Sequence, residues 1–149
     1  MQQVLVVCPT TKTITVVDSD NTYQFMNSKI KHPALDKIKQ PWIENYAKLM
    51  YRAGYMQDTI FVEMYANCTA LMIPGKGFNF TADANVKFRV NGVACFIIRD
   101  QSGRVHKIPD SLITHINSLV SFVNPQYNSQ QAEVLAMMRA TIAHSKQPA

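Results

Sequence analysis

The side chains of this sequence that could do chemistry are mainly lysines and arginines, and they fall into two blocks. Positions 29–55 hold six of these cations against two carboxylates, and positions 76–107 hold six against two again, whereas the whole 149-residue chain has a formal net charge of +5. Cations interspersed with aromatic residues are typical of surfaces that neutralise phosphates while rings stack on bases. The predicted nucleic-acid-binding residues are Lys29, Lys31, Lys37, Lys39, Tyr51, Arg52, Tyr55, Lys76, Phe78, Lys87, Arg89, Arg104 and Lys107.

This pattern favours a single-stranded polynucleotide over a duplex. The sequence has no helix-turn-helix, zinc-finger or basic-helix pattern that would enter a major groove. Sparse cations mixed with aromatic residues suit a flexible strand whose base faces are open. We therefore expect binding with little sequence preference, and a log–log salt slope of about −3.5 if roughly five phosphates are engaged. The alternative, that each cationic block is only a solvated surface, stays open at this point.

Residues that could form a catalytic or metal site are scattered along the chain. The histidines and cysteines show no CxxC pair, no Cys/His spacing of a zinc site and no assembled catalytic triad. The Gly75–Gly77 segment lacks the earlier glycine and the following Ser or Thr of a phosphate-binding loop. We therefore expect no enzyme, no metal site and no cofactor, and we expect Cys8, Cys68 and Cys95 to be buried free thiols of a cytoplasmic protein.

The elements that must position the cations are short strands and helices. Proline and glycine punctuation, together with apolar spacing, sets their limits. In the first half, the sequence predicts strands over 4–8, 13–17 and 22–26, helical spacing at Leu35 and Ile38, a helix from Pro41 to Ala53, and a strand or a helix over 59–65.

The clearest local signal is strict alternation around Asn91-Gly92, which is the favoured dipeptide of a tight hairpin turn. It predicts that 86–90 and 93–98 pair as a hairpin, with 104–108 as a third strand. Lys87 and Arg89 would then lie on the polar face of this hairpin, and the alternating segment Phe78–Phe80 flanks a flexible turn at Lys76.

Two helices are predicted after this meander. The first is capped by Pro109-Asp110-Ser111 and runs to Val123, and the second covers about 128–143. The predicted fold class is α+β, an antiparallel sheet of short meanders with about three to four packed helices. It forms a single domain over 1–143, followed by a flexible C-terminal tail at 144–149. No apolar run is long enough for a membrane-spanning helix, so no membrane association is expected.

A short pattern resembles rIIB-like phage early proteins. It consists of the strand-like segment Asn21–Phe25, then Lys31-His32-Pro33, then the start of a helix at Asp36-Lys37-Ile38. By its basic character and small size, the chain is also similar in type to small single-stranded-DNA-binding cofactors of phages that package a virion RNA polymerase. The resemblance implies a protein of the infected bacterial cytoplasm that favours DNA over RNA and recruits a phage RNA polymerase to melted promoter DNA.

The leading hypothesis is therefore a phage-type single-stranded DNA-binding protein that acts in transcription regulation. The alternative is a protein-interaction module, an inhibitor or adaptor of a host enzyme, that uses the adaptable side chains of Met137 and Met138 in the C-terminal helices. We also expect a homo-oligomer, because small sheets leave edges that need cover.

Overall fold

The structure is a computed structural model that describes residues 2–30, 35–38, 60–67, 76–83 and 86–122, with the side chains of 35, 36, 38, 82, 83 and 86–88 left out. The elements in chain order are β1 (Gln2–Cys8), β2 (Thr13–Ser19), α1 (Thr22–Ile30), β3 (Leu35–Ile38), β4 (Ile60–Asn67), β5 (Gly77–Asp83), β6 (Val86–Asn91), β7 (Ala94–Asp100), α2 (Asp110–Leu119) and β8 (Val120–Ser121).

Two antiparallel sheets organise these elements. The large sheet has five strands in the order β2-β1-β7-β4-β3, and the small sheet has three in the order β6-β5-β8. Every strand pair is antiparallel. The α+β class with mostly antiparallel sheet is therefore confirmed.

The main core lies between the two sheets, with α2 packed into it. Alternate residues of β1, β4 and β7 face this core, where they meet the side chains of β5 and the apolar face of α2. Phe80 lies at the centre of this core. Its ring stacks on Phe96 of the large sheet, with 6.2 Å between the ring centroids, and meets Phe78 edge-on, with 6.3 Å between the centroids. Aromatic contacts of this kind join the two sheets.

The opposite face of the large sheet is covered in part by α1. Met26 and Ile30 are buried there against Val4, Val6 and Ile97. We call this the helix-side face. The large sheet is therefore the middle layer, and its central strand β7 is buried on both faces.

Residues 22–26 form the first turns of α1, so the predicted third strand is wrong. Thr22, Met26 and Ile30 are buried at intervals of four, which is the helical period. Asn21 caps the helix, because its Oδ1 accepts a hydrogen bond from the backbone N–H of Gln24 at 3.0 Å. Over five residues, the spacing of apolar side chains fits a strand and a helix equally well. The Asn21 cap favours the helix.

The helical spacing predicted at Leu35 and Ile38 is also wrong, since these residues bound the edge strand β3. All four residues of β3 pair with β4 in unbroken register. Two apolar residues three apart fit a helix turn, but four residues are too few to distinguish the helical period from the two-residue period of a strand.

The predicted hairpin has the correct strands and the wrong partners. β6 pairs with β5 in the small sheet, whereas β7 pairs with β1 and β4 in the large one. Asn91-Gly92 therefore carries the chain from one sheet to the other, with Gly92 at φ +96° and its N–H bonded to the carbonyl of Lys76 at 2.7 Å. Glycine tolerates this backbone conformation without a steric penalty.

The predicted third strand at 104–108 is reduced to one bridge, between Arg99 and Val105. The helix predicted after it does begin at Asp110, but no side chain caps it. It ends at Leu119 and not at Val123, because Val120 and Ser121 pair with β5 as strand β8.

The strands predicted over 4–8, 13–17 and 78–80 are confirmed, and 59–65 is a strand from Ile60. The described residues contain two helices, so they do not support the predicted three to four. Neither of these two helices has the length and hydropathy needed to cross a membrane. The helices predicted at 41–53 and 128–143, with Met137 and Met138, and the tail at 144–149 lie outside the described residues.

Candidate nucleic-acid interface

The strand register aligns one row of side chains across the helix-side face. Val6 of β1 pairs with Cys95 of β7, Cys95 with Tyr65 of β4, and Tyr65 with Lys37 of β3. Neighbouring strands lie about 4.8 Å apart, so this row places Lys37 roughly 10 Å from the centre of the sheet. The row leads from the part covered by α1 to an edge that carries charge.

Three charged side chains meet at that edge. Glu63 of β4 accepts hydrogen bonds from Lys37 Nζ at 2.7 Å and from Arg99 Nε at 2.8 Å. The side chain of Glu63 is 10% exposed, whereas those of Lys37 and Arg99 are 41% and 37% exposed. Together with Tyr65, which the register places beside Lys37, we call these residues the charge cluster. Its two cations keep outward-facing hydrogen-bonding capacity, because each is more exposed than the carboxylate beneath it.

The pKa values in the charge cluster follow from this contact. Burial alone would raise the pKa of Glu63, but the hydrogen bonds from Lys37 and Arg99 outweigh it and lower that pKa below its ordinary value. The same contact with Glu63 raises the pKa of Lys37. Burial and the nearby carboxylate raise the pKa of the Tyr65 hydroxyl. The carboxylate and the ammonium are therefore both charged at neutral pH.

An exposed aromatic ring adjoins the charge cluster. Phe61 of β4 is 46% exposed and is the direct cross-strand partner of Arg99. Directly opposite residues of an antiparallel pair have Cβ atoms about 5 Å apart and project from the same face. A ring that stacks on a base and a guanidinium that binds a phosphate are thus presented side by side.

The segment after β7 is held against Arg99 by the Asp100 carboxylate. Its Oδ1 accepts hydrogen bonds from Ser102 and from the backbone N–H of Arg104, and its Oδ2 lies 2.7 Å from His106 Nε2. Hydrogen bonds from Ser102 and His106 hold the pKa of Asp100 far below its ordinary range. The turn places Val105 beside Arg99. It therefore holds the end of β7, where Arg99 lies on the helix-side face.

Two of the predicted nucleic-acid-binding residues lie on the helix-side face. Lys37 is part of the charge cluster, and Lys29 is exposed on α1 with its ammonium 5.8 Å from the ring centroid of Phe25. Lys76, Arg104 and Lys107 are exposed and lie outside the helices and strands, the first just before β5 and the other two between β7 and α2.

Two of the predicted residues are buried, and their predicted roles are wrong. Phe78 is fully buried between Phe80 and Phe122, so its ring is closed to a base. Arg89 is 5% exposed, and its Nη1 donates to Asn79 Oδ1 at 3.1 Å. Strand β6 is therefore covered at this position, whereas the sequence pattern gave it a solvated polar face.

The remaining predicted residues are not described. Lys87 lies in strand β6, but its side chain is outside the described part, as are the whole residues Lys31, Lys39, Tyr51, Arg52 and Tyr55.

Three residues of the candidate site were missed by the sequence analysis, namely Phe61, Glu63 and Arg99. The signal for the first two is the alternation within β4, where apolar residues of one face are interleaved with Phe61, Glu63 and Tyr65 on the other. Arg99 carries a weaker signal, as the cation that ends the apolar run of β7.

The described cysteines do not gather with these groups into a metal site. Among the described residues, no three His, Cys, Asp or Glu side chains gather closely enough to hold a metal ion. Cys95 is free and buried as predicted, and burial raises the pKa of its thiol to about 12. Cys8 is free but half-buried, because β1 ends there, and Cys68 lies outside the described residues.

Replacing Glu63 with glutamine is expected to lower the free energy of unfolding at pH 7 by about 1–2 kcal/mol, since the change removes the charge that pairs Lys37 and Arg99. Because the pKa of Glu63 is lowered in the folded protein, its contribution is fully present above the unfolded pKa and is lost as the pH falls through the folded pKa. Urea unfolding of both proteins from pH 7 down to pH 2 checks this. The difference between them should shrink in acid, and a constant difference would contradict the assignment.

Comparisons with protein families, with curated proteins and with solved structures find no match to this chain, so the resemblance to phage proteins stays a prediction.

Proposed function

We propose that this protein binds single-stranded nucleic acid, DNA in preference to RNA, along the helix-side face of its large sheet. The observation that carries the proposal is the exposed ring of Phe61 in direct register with Arg99, next to Lys37. Stacking on a ring tolerates any base, and cations bind the backbone regardless of sequence, so the binding has little sequence preference.

The Glu63 carboxylate limits the electrostatic attraction. It offsets one of the two cations that it holds, which leaves the trio of Lys37, Glu63 and Arg99 at a net charge of +1. With Lys29 added, at most three of the described cations on the helix-side face contact phosphates. The log–log salt slope is then about −2, which corresponds to a roughly twentyfold loss of affinity between about 50 and 200 mM salt. This is shallower than the slope that the sequence alone suggests.

Substituting Phe61 with alanine is expected to weaken binding of a labelled single-stranded DNA oligonucleotide about five- to thirtyfold, because a base–aromatic stack contributes about 1–2 kcal/mol. Fluorescence anisotropy measures the dissociation constant. Tyr23→Ala is the matched control, since Tyr23 is an aromatic residue that is 62% exposed and lies on α1, whereas the charge cluster lies on strands. Its affinity should stay within about twofold of the unchanged protein.

The same assay with single-stranded RNA and double-stranded DNA tests the ligand class. Single-stranded DNA should bind most tightly and the duplex least. Equal affinities for strand and duplex, or equal effects of the two substitutions, would refute binding by stacking at Phe61.

The role that we propose for this binding is that of a transcription cofactor which brings a phage RNA polymerase to melted promoter DNA. Support for it comes from the resemblance in the sequence alone. A purified virion-type polymerase should be retained by immobilised single-stranded promoter DNA only when this protein is present, and retention unchanged by the protein would refute this role.

A further inference from the structure

Strand β2 is an outer strand of the large sheet and has a long free side. All seven of its residues pair with β1 from Cys8↔Thr13 to Gln2↔Ser19, without a shift of register. In an antiparallel pair, alternate residues bond to the neighbour while the others direct their N–H and C=O groups outward. Within the described residues, no strand lies beyond β2. Its outward backbone groups therefore form a regular row that another strand can bind.

The other outer strands of the two sheets carry features that discourage such pairing, and β2 does not. β3 has four residues, of which two are charged, and β8 has two residues. β6 includes Lys87 and Arg89. By contrast, β2 reads Thr-Ile-Thr-Val-Val-Asp-Ser, with no proline, no glycine and one charge near its end. Short length, charge and proline are the usual protections of a sheet edge, so β2 is the edge best suited to pairing.

The charges that flank β2 make it complementary to itself. Lys12 precedes the strand and Asp20 follows it, and both are exposed. When two copies of β2 run antiparallel with Val16 opposite Val16, the end of the strand next to Lys12 in each copy lies beside the end next to Asp20 in the other. Asp18 keeps its own hydrogen bond from Gln3 Nε2, at 3.0 Å, in this arrangement. The pattern matches a two-fold axis, which requires every contact to occur twice.

We infer that β2 pairs with β2 of a second copy of this chain, antiparallel and centred on Val16, to give a homodimer with a continuous ten-stranded sheet. Thr15 then lies opposite Val17 on the helix-side face, and β-branched residues of this kind pair well across strands. Pairing at this edge leaves the charge cluster free, because β3 is at the other end of the strand order. The inference is thus independent of the proposed nucleic-acid binding.

Exchanging the flanking charges tests the pairing. Lys12→Glu and Asp20→Lys are each expected to raise the dissociation constant of the dimer about tenfold, because each puts two like-charged pairs where two opposite pairs were. The double variant, K12E with D20K, restores opposite charges and should return to the original value. Sedimentation equilibrium or light scattering over a concentration series measures these constants. A monomer at all concentrations, or a double variant as weak as the single ones, would overturn the inference.

Disulfide trapping tests the register independently of the charges. In a Cys8→Ser background, Val16→Cys places two thiols opposite each other on the two-fold axis, within the distance that a disulfide bridges. Thr13→Cys is the matched control. Position 13 lies three residues from the axis, so the two thiols of the dimer would be roughly 20 Å apart. Under mild oxidation the Val16→Cys protein should form a covalent dimer and the control should not. Equal cross-linking of the two variants would overturn the proposed register.

Discussion

Replacing Phe80 with alanine is expected to lower the free energy of unfolding by about 3–5 kcal/mol, the largest loss that we predict for a single substitution in this protein. The Phe80 side chain is fully buried between the two sheets. It stacks on Phe96 and contacts the edge of Phe78, so its removal leaves a cavity at the point where the small sheet meets the large one. Both layers are anchored by their own hydrogen bonds, which prevents them from closing the gap fully.

Urea unfolding followed by circular dichroism measures this loss. Phe61→Ala is the matched control, because it deletes the same ring at a position that is 46% exposed. We expect it to cost about 1 kcal/mol or less. A similar cost for the two substitutions would mean that Phe80 does not pack between the sheets as described.

Gly77→Ala is expected to cost about 3 kcal/mol, at the upper end of the range for overpacked sites. A Cβ atom at Gly77 would lie 2.7 Å from Asn91 Cα and would also collide with the carbonyl oxygen of Val90. Both obstacles are backbone atoms of the paired strand β6, so no change of rotamer relieves the clash. Relief requires β5 and β6 to separate at the start of the small sheet.

The control for this substitution is Gly103→Ala. Gly103 has φ +88° and open space around its Cβ position, so alanine there costs about 1 kcal/mol through backbone conformation alone. The two effects can be separated by amide hydrogen exchange. Gly77→Ala should speed exchange along β5 and β6, while Gly103→Ala should leave those strands protected. Protected β5 and β6 amides in the Gly77 variant would contradict the predicted clash.

Strands that are short, apolar and closed by turn residues could be predicted from the sequence, as β1, β2 and β7 show. Their partners could not. Asn91-Gly92 favours a hairpin locally, but β7 is buried on both faces and so must lie in the middle of a sheet. Pairing with β1 and β4 buries more of it than a return to β6 would. Tertiary burial therefore outweighs the turn signal, and no local pattern records that competition.

The candidate site was predicted only in part, for a related reason. Lys37 and Lys29 lie on the helix-side face, as a cationic surface requires. Arg89 was expected on a solvated face because it alternates with apolar residues, yet its side chain is buried. Alternation tells which residues share a face, but it does not tell whether another layer covers it. Phe61 is the converse case, an apolar residue in an apolar strand whose position near the sheet edge leaves it exposed.

The strand order also governs when the large sheet can assemble during synthesis. β7 lies between β1 and β4 in the large sheet and pairs with both of them. A nascent chain that ends before Ala94 has the β1–β2 ribbon and the β3–β4 ribbon, but not the strand that pairs with both β1 and β4. The middle layer forms only after residue 100 has left the ribosome, when β7 inserts beside a strand synthesised some ninety residues earlier. Such distant pairing slows folding, and until then the apolar faces of both ribbons need shielding from other chains.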